Sequence, residues 1–281
     1  MRRIVLLSIL LLCLPSAALA GKAFDPEAAS GNDLLGYLDH GSWDFRLDAS
    51  KEIKKRCIEE ADSKLATMVE ADPNAKVRVA ALVALSHCDM PSALLAAETM
   101  ALVDSEAAHR RKAVGVIEKK GTARSAPVLS QVLKGDPDTE TQRKAAVVLR
   151  HKAWRGAEPV QEELAFSSKD RGVRVNAIWA LLLIDRDRYT ELFHTRLRTE
   201  PDEKGRLDLV KVLARSPTAA DRDVLIEMLD DDYSHVARHA ARALVNLGDR
   251  SVAEILKAKS MDVRDRKVAE EFAEAAEKLG G

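Results

Sequence analysis

The sequence repeats every 32 residues, and this period constrains the fold more than any other feature. Steps of 32 from Ala81 give the series Ala49, Ala81, Ala113, Ala145, Ala177, Leu209, Ala241 and Ala273. Steps of 32 from Leu85 give the series Ile53, Leu85, Ile117, Leu149, Leu181, Leu213 and Val245. No gap is needed in either series. A period of this length is typical of arrays in which one small unit of secondary structure is stacked many times.

Each period contains a second set of apolar columns, which predicts a second helix. These columns include Ala96 with Val128 and Val160, and Val69 with Ala101 and Leu133. Within each period the apolar residues recur at spacings of three and four, as an amphipathic helix requires. A helical hairpin of this size cannot bury its apolar face alone, so neighbouring hairpins must stack. The predicted fold is all-α, an α-α superhelix or solenoid of about eight 32-residue hairpins.

Acid–proline pairs mark the turn between the two helices of a period. They are Asp72-Pro73, Asp136-Pro137 and Glu200-Pro201. Acidic side chains at the start of a helix accept hydrogen bonds from free N–H groups and interact favourably with the helix dipole. The pattern therefore predicts that these acids cap the second helix of each hairpin.

The composition fits this fold and excludes some functions. The chain of 281 residues has only 3 Trp, 3 Tyr and 5 Phe, so its core must consist of helix-compatible Ala, Leu and Val. The 44 basic residues are balanced by 45 acidic ones, and the basic stretches lack interleaved aromatic residues. This balance argues against an extended polyelectrolyte and against a nucleic-acid partner.

The first twenty residues have the pattern of a secretory signal peptide. Arg2 and Arg3 precede an apolar run over residues 4–14, and Ala18-Leu19-Ala20 provides a small-x-small cleavage site. The run is shorter than the roughly 20 residues of a membrane span. We therefore expect residues 1–20 to be removed on export to a periplasm or the exterior, leaving no transmembrane segment. The predicted mature chain has an N-terminal extension over 21–31 and a solenoid over 32–281.

The last period of the solenoid differs from the others. It places Glu270, Glu274 and Glu277 where earlier periods have other residue types, which predicts a polar capping repeat.

After cleavage of the signal peptide, Cys57 and Cys88 are the remaining cysteines. In an oxidising compartment they are candidates for a disulfide, and two buried thiols are the alternative. Sequence alone leaves both possibilities open.

Residues 77–85 form the string Val-Arg-x-Ala-Ala-x-x-Ala-Leu, and an acid lies six residues before its arginine. This pattern resembles HEAT repeats of the armadillo-type α-solenoids. The short variety called PBS-lyase HEAT-like repeats is the most similar, over roughly residues 32–280. The resemblance implies a structural ladder in which the acid of one turn bonds the arginine of the neighbouring repeat; binding of an anionic partner is the alternative. The implied ladder residues are Asp72, Arg78, Asp104, Arg110, Asp136, Arg174, Glu200, Arg206, Asp232 and Arg238. Gln142 and Ser168 interrupt it, and we expect it to be weaker there.

Sequence evidence for catalysis is slight. The P-loop, dinucleotide-binding, H-E-x-x-H and G-x-S-x-G motifs are absent from the sequence. His235 and His239 share one helical face near Asp231 and Asp232, which makes them weak candidates for a metal site; a solvated helix start is the alternative. Relatives that attach bilin chromophores imply a lyase-type enzyme as another alternative. We expect no cofactor and a non-catalytic scaffold.

The second helices of periods three to five predict a composite groove for a protein or peptide partner. In such solenoids the second helices line the concave surface, which usually binds. Trp179 and Leu183 lie four residues apart and share an apolar face beside a basic section. The alternative is that Trp179 only fills the core. The basic candidates are Arg111, Lys112, Arg143, Lys144 and Arg150.

Overall fold

The computed structural model describes residues 24–280, and this range is entirely helical and irregular, without strands. The predicted signal peptide lies outside the described residues. Within residues 24–280, sixteen α-helices form eight hairpins, which confirms the all-α solenoid. No helix in the described range is both long and apolar enough to span a membrane. The helices α1 to α16 are Gly31–Tyr37, Trp43–Arg56, Asp62–Ala71, Ala75–His87, Ala93–Val103, Ala107–Lys120, Ala126–Gly135, Thr139–Lys152, Glu158–Ser167, Arg171–Ile184, Arg186–Thr199, Glu203–Arg215, Arg222–Glu227, Ser234–Leu247, Ala253–Asp262 and Arg266–Gly280.

The repeat columns form the core between two layers of helices. Ala81, Leu85 and their equivalents lie on the second, even-numbered helices and are fully buried through hairpin 6. Val69 and its equivalents lie on the first, odd-numbered helices, or for Leu229 in the 3-10 turn after α13. They are also buried, except for Met261 in the last hairpin, which is 74% exposed. Glu270, Glu274 and Glu277 on α16 are exposed at the end of the stack.

Neighbouring second helices approach one another more closely than neighbouring first helices at most junctions of the stack. The small residues of the Ala81 column permit this approach, because they bring the helix backbones together without a cavity. The layer with the closer spacing is the inner, concave side of a curved stack. The junction between α4 and α6 is an exception, where the two helices barely touch.

Most of the ladder implied by the resemblance is present, and its arginines other than Arg238 contact two successive turns. Arg78 donates from Nε to Asp104 Oδ2 of the next turn at 2.7 Å and from Nη1 to the Asp72 carbonyl of its own turn at 3.1 Å. Asp104 also accepts from the Glu106 N–H at 2.8 Å. One guanidinium therefore joins two hairpins. Equivalent carboxylate pairs are Arg46 with Asp72, Arg110 with Asp136, and Arg174 with Glu200.

The prediction that the ladder acids cap the second helices is wrong in position. The caps are residues two places later, such as Asn74, Asp138 and Asp202, whose side chains accept N–H groups of the first helical turn. The ladder acids instead accept the backbone N–H of these cap residues; Asp136 accepts that of Asp138 at 2.8 Å. The ladder acids therefore stabilise the turn between the two helices, and a separate residue caps the second helix.

The ladder changes at the interruption foreseen from the sequence. Gln142 still donates to the Asp136 carbonyl at 2.7 Å, as an arginine would, but no carboxylate follows at Ser168. Instead, the adjacent Arg143 donates from Nε to both carboxylate oxygens of Asp170 at 2.9 Å. This exposed pair replaces the buried one between hairpins 4 and 5.

The predicted pairing of Asp232 is wrong, because the register shifts by one residue in hairpin 7. Arg206 donates to Asp231 at 2.6 Å, and Arg238 bonds Glu271 on α16 rather than a turn acid. The first helix of this hairpin ends in a 3-10 turn over Met228–Asp230. A 3-10 turn rises further per residue than an α-helix, so it reaches the turn with one residue fewer.

Cys57 and Cys88 are joined in a disulfide that links the ends of α2 and α4. Their Cα atoms are 5.2 Å apart, inside the usual range for disulfides. Both residues follow directly after a second helix, so the bond fastens hairpin 1 to hairpin 2 at the edge opposite the ladder.

We predict that Arg110→Gln lowers the free energy of unfolding by about 3 kcal/mol, since it leaves the buried Asp136 carboxylate without its partner. Glutamine is the residue that the chain itself uses at position 142, where no carboxylate needs pairing. The matched control Gln142→Ala loses only one hydrogen bond to a carbonyl and should cost about 1 kcal/mol. Urea denaturation followed by circular dichroism measures both; equal losses would contradict the ladder's structural role.

We predict that the double variant Cys57→Ser, Cys88→Ser destabilises the N-terminal hairpins by about 3 kcal/mol, because the bond closes a loop of 31 residues in the unfolded chain. In a stacked array each repeat contacts only its neighbours, so the loss should be local. Hydrogen exchange should rise in hairpins 1 and 2 and stay unchanged in hairpins 6 to 8. A uniform rise along the chain, or free thiols in non-reducing peptide mapping, would contradict this account.

Candidate partner-binding face

The second helices leave one side uncovered by the first helices, and we call this side the inner face. In hairpin 3 it comprises Lys112, Gly115, Glu118 and Lys119. The other hairpins contribute the residues that lie 32 or a multiple of 32 away from these four. The inner face is therefore a surface whose composition changes from one hairpin to the next while its geometry is repeated.

Trp179 occupies the Gly115 position of hairpin 5 and lies between two arginines from neighbouring helices. The Cζ atom of Arg150 on α8 is 4.1 Å from the centroid of the indole ring, and that of Arg215 on α12 is 4.9 Å away. The ring is half-buried and packs against the edge of the core of hairpins 5 to 8. We call these three residues the Trp179 cluster. Stacking of guanidinium groups on an indole is favourable, and it holds both arginines in place.

The two arginines of the Trp179 cluster lack an acidic partner among the described residues. Neither guanidinium lies within 4.0 Å of a carboxylate, although most other arginines of the stack do. Arg150 Nε is buried without a hydrogen-bond partner, and its Nη2 lies 2.7 Å from His151 Nε2. Burial and the charge of Arg215 lower the pKa of Arg150. The cluster thus holds two like charges together without a counter-charge.

The other residues predicted for partner binding are divided between the inner face and the ladder edge. Leu183 is 53% exposed on the inner face, one turn from Trp179, and Lys112 is exposed there without an ion pair. Lys144 bonds Glu118. Arg111 and Arg143 lie at the ladder edge, where they bond Asp138 and Asp170 of the following turns.

Arg215 is the residue of this site that sequence analysis missed. It lies in the same 32-residue column as His87, Lys119 and Leu183, so stepping along the inner-face columns would have found it. The basic residues predicted for the groove all lie in hairpins 3 and 4, whereas Arg215 lies in hairpin 6 on the far side of Trp179.

A second polar cluster is buried between hairpins 6 and 7, away from the inner face. Asp221 accepts from His194 Nε2 at 2.9 Å and from Arg186 at 2.6 Å, and both of these donors lie on α11. Burial opposes ionisation of Asp221, but hydrogen bonds from His194 and Thr218 and the charge of Arg186 outweigh it and lower its pKa to about 2. This cluster joins two hairpins where α13 is short.

The described side chains around His235 and His239 do not form a metal site. Asp231, a possible third ligand, bonds Arg206, and the described residues contain no group of three metal-ligating side chains. Burial and the nearby charges of Arg242, Lys211 and Arg238 lower the pKa of His239. A cation at this place would face the same repulsion.

Comparison with known families agrees with this architecture. A family model for HEAT repeats matches residues 63–150 and 190–277, more than half of the sequence. The chain belongs to the HEAT-repeat family. The matched stretches contain hairpins 2 to 4 and 6 to 8, and hairpin 5, which carries Trp179, lies between them. A search of curated proteins finds no match.

Solved structures share the fold at low sequence identity. The crystal structure of YibA from Escherichia coli is 19% identical with a TM-score of 0.53, over 90% of this chain and 93% of YibA. The complex of CpcE and CpcF of phycocyanin lyase from Nostoc sp. PCC7120 is 16% identical with a TM-score of 0.43, over 93% of this chain and 97% of that one. The YibA likeness shows the HEAT-repeat fold alone.

We predict that Asp221→Asn lowers the free energy of unfolding by about 2 kcal/mol at pH 7, because the folded state holds the pKa near 2 against an ordinary value of 3.8. A depressed pKa contributes stability above pH 4, and that stability is lost as the pH falls toward 2. The difference between wild type and variant should therefore shrink over this range. The exposed control Asp223→Asn should change stability by less than about 0.5 kcal/mol. Denaturant titrations from pH 7 to pH 3 measure this; a difference independent of pH would contradict it.

Proposed function

We propose that this protein is an exported, non-catalytic HEAT-repeat scaffold that binds a protein or peptide partner on its concave inner face. The observation that carries the proposal is the Trp179 cluster, in which an indole ring stands between two guanidinium groups without acidic partners. Trp and Arg are the side chains most enriched at the energetic centres of protein interfaces. Rigid stacking also reduces the conformational entropy that binding would cost.

The contrast with the ladder supports a binding role for the cluster over simple core filling. Ladder arginines such as Arg110 are buried and each bonds a carboxylate and a carbonyl. Arg150 and Arg215 make neither contact. Packing alone explains an indole at the edge of the core, but it does not explain two cations placed over that indole without a counter-charge, since repulsion between them opposes folding.

The proposed export has two supports. The sequence of residues 1–20 has the charge, length and cleavage pattern of a signal peptide. The disulfide between Cys57 and Cys88 is of the kind that persists in oxidising compartments. The partner would then be encountered in a periplasm or outside the cell.

We predict that Trp179→Ala weakens capture of the partner at least about tenfold while leaving the helical circular-dichroism signal largely intact. The bait is the purified mature chain on a solid support, and the source is the periplasmic or secreted fraction. Quantitative mass spectrometry compares the proteins retained by wild type and variant.

Trp43→Ala is a matched control, because Trp43 also lies under a cation, Lys76, but stands at the ladder end of α2 away from the cluster. It should leave capture unchanged. Early melting of Trp179→Ala together with unchanged capture would show that Trp179 is a core residue and would refute the proposal.

A further inference from the structure

A groove opens on the inner face between α4 and α6, two hairpins away from the Trp179 cluster. Gly115 lies in it, at the position that Val83, Val147 and Trp179 occupy in other hairpins. A Cβ atom added at Gly115 would have no atom within 4 Å, so the missing side chain leaves open space. The groove has a volume of about 790 Å³. We call it the Gly115 groove.

The Gly115 groove carries more positive than negative charge. Five lysines and His87 line it, against only two acids, Asp89 and Glu118. Asp89 bonds Lys120, and Glu118 bonds Lys144 and His151. Among the described residues, the remaining three lysines have no carboxylate within 4.0 Å. These are Lys54, Lys112 and Lys119.

The disulfide and one ladder pair hold the walls of the groove in place. Lys54 lies on α2 and His87 on α4, each within three residues of the disulfide between Cys57 and Cys88. Lys112 and Lys119 lie on α6, which the ladder pair of Arg110 and Asp136 joins to hairpin 4. The unpaired lysines are thus carried by a rigid frame, as the unpaired arginines of the Trp179 cluster are.

The two sites are separated by a distance that an extended peptide can span. Packed helices lie about 8–10 Å apart, so the two steps from α6 to α10 amount to about 18 Å. An extended chain covers this distance in five or six residues at about 3.3 Å per residue. Between the sites, α8 presents Val147 and Lys144, and Glu118 of α6 neutralises Lys144.

We propose that the inner face binds an extended acidic peptide segment, with one carboxylate at the Trp179 cluster and a second, five or six residues away, in the Gly115 groove. This inference rests on the proposed function and adds the chemistry and spacing of the partner. A peptide can place neutral residues opposite Val147 and Glu118. A dense polyanion would instead place further charges opposite Val147 and the neutralised pair of Lys144 with Glu118, which offer no unpaired cation.

The test uses fluorescent synthetic peptides and the full mature chain in fluorescence anisotropy. One peptide has two Glu-Glu pairs separated by five neutral residues, a second has Gln in place of every Glu, and a third has the pairs adjacent. We expect the first to bind at least about tenfold more tightly than the other two, and we expect its affinity to fall as salt is raised.

Two charge variants test the sites separately. Lys112→Glu with Lys119→Glu, and Arg150→Ala with Arg215→Ala, should each weaken binding of the first peptide at least about tenfold. The control matched to the lysine variant is Lys169→Glu with Lys257→Glu, which reverses two exposed lysines outside the groove and changes the net charge by the same amount as Lys112→Glu with Lys119→Glu. It should retain most of the affinity.

Three results would overturn the inference: no binding at millimolar peptide, equal affinity for the Glu and Gln peptides, or equal losses in groove and control variants. Tighter binding of heparin or an oligonucleotide with the same dependence on Lys112 and Lys119 would also overturn it, in favour of a polyanion surface. Failure of the peptides while Trp179→Ala still abolishes capture from the extract would refute this inference and leave the proposed function standing.

Discussion

The buried arginine that contacts two successive turns is the interaction on which the rest of the stack depends. A single guanidinium bonds the carbonyl of its own turn and the carboxylate of the next, as Arg78 and Arg110 do. The carboxylate in turn fixes the N–H of the residue that caps the following helix. At most junctions this contact positions a hairpin against its neighbour. The apolar core alone, made of small and interchangeable side chains, would define that position less well. The 32-residue period of the sequence reflects the repetition of this arrangement along the stack.

Ion pairing distinguishes the charged side chains that stabilise the stack from those that are free to bind a partner. The near-zero net charge of the chain arises largely from pairs that hold hairpins together. Against this background, the unpaired cations on the inner face stand out: Arg150 and Arg215 at the Trp179 cluster, and three lysines around Gly115. Both groups lie where a second helix is set apart from its neighbour or carries an unusual residue in the Gly115 column. Function in a repeat array is expected at such departures from the repeat, since the repeated residues are occupied with packing.

Much of the fold could be predicted because every period places the same residues in the same environment. The columns of Ala81 and Leu85 are fully buried through hairpin 6, as their periodicity required. The shift from Asp232 to Asp231 could not be predicted, because it depends on a 3-10 turn that sequence spacing does not reveal. The site was only partly predictable for a related reason. Arg143 and Arg150 look alike in sequence, but in the structure Arg143 bonds the carboxylate of Asp170 and Arg150 lies over the Trp179 ring. Whether a surface cation is paired depends on whether its side chain reaches an acid of the next turn, which sequence spacing does not reveal.

The most direct test of this division between structural and binding charge is an NMR titration of the arginine side-chain Nε–H signals with free glutamate. We expect the signals of Arg150 and Arg215 to shift, because these guanidinium groups lack an acidic partner among the described residues. The signals of Arg78, Arg110 and Arg174 should stay unchanged, because a carboxylate of the next turn already bonds each of them. Shifts of the ladder signals equal to those of Arg150 and Arg215 would contradict this division.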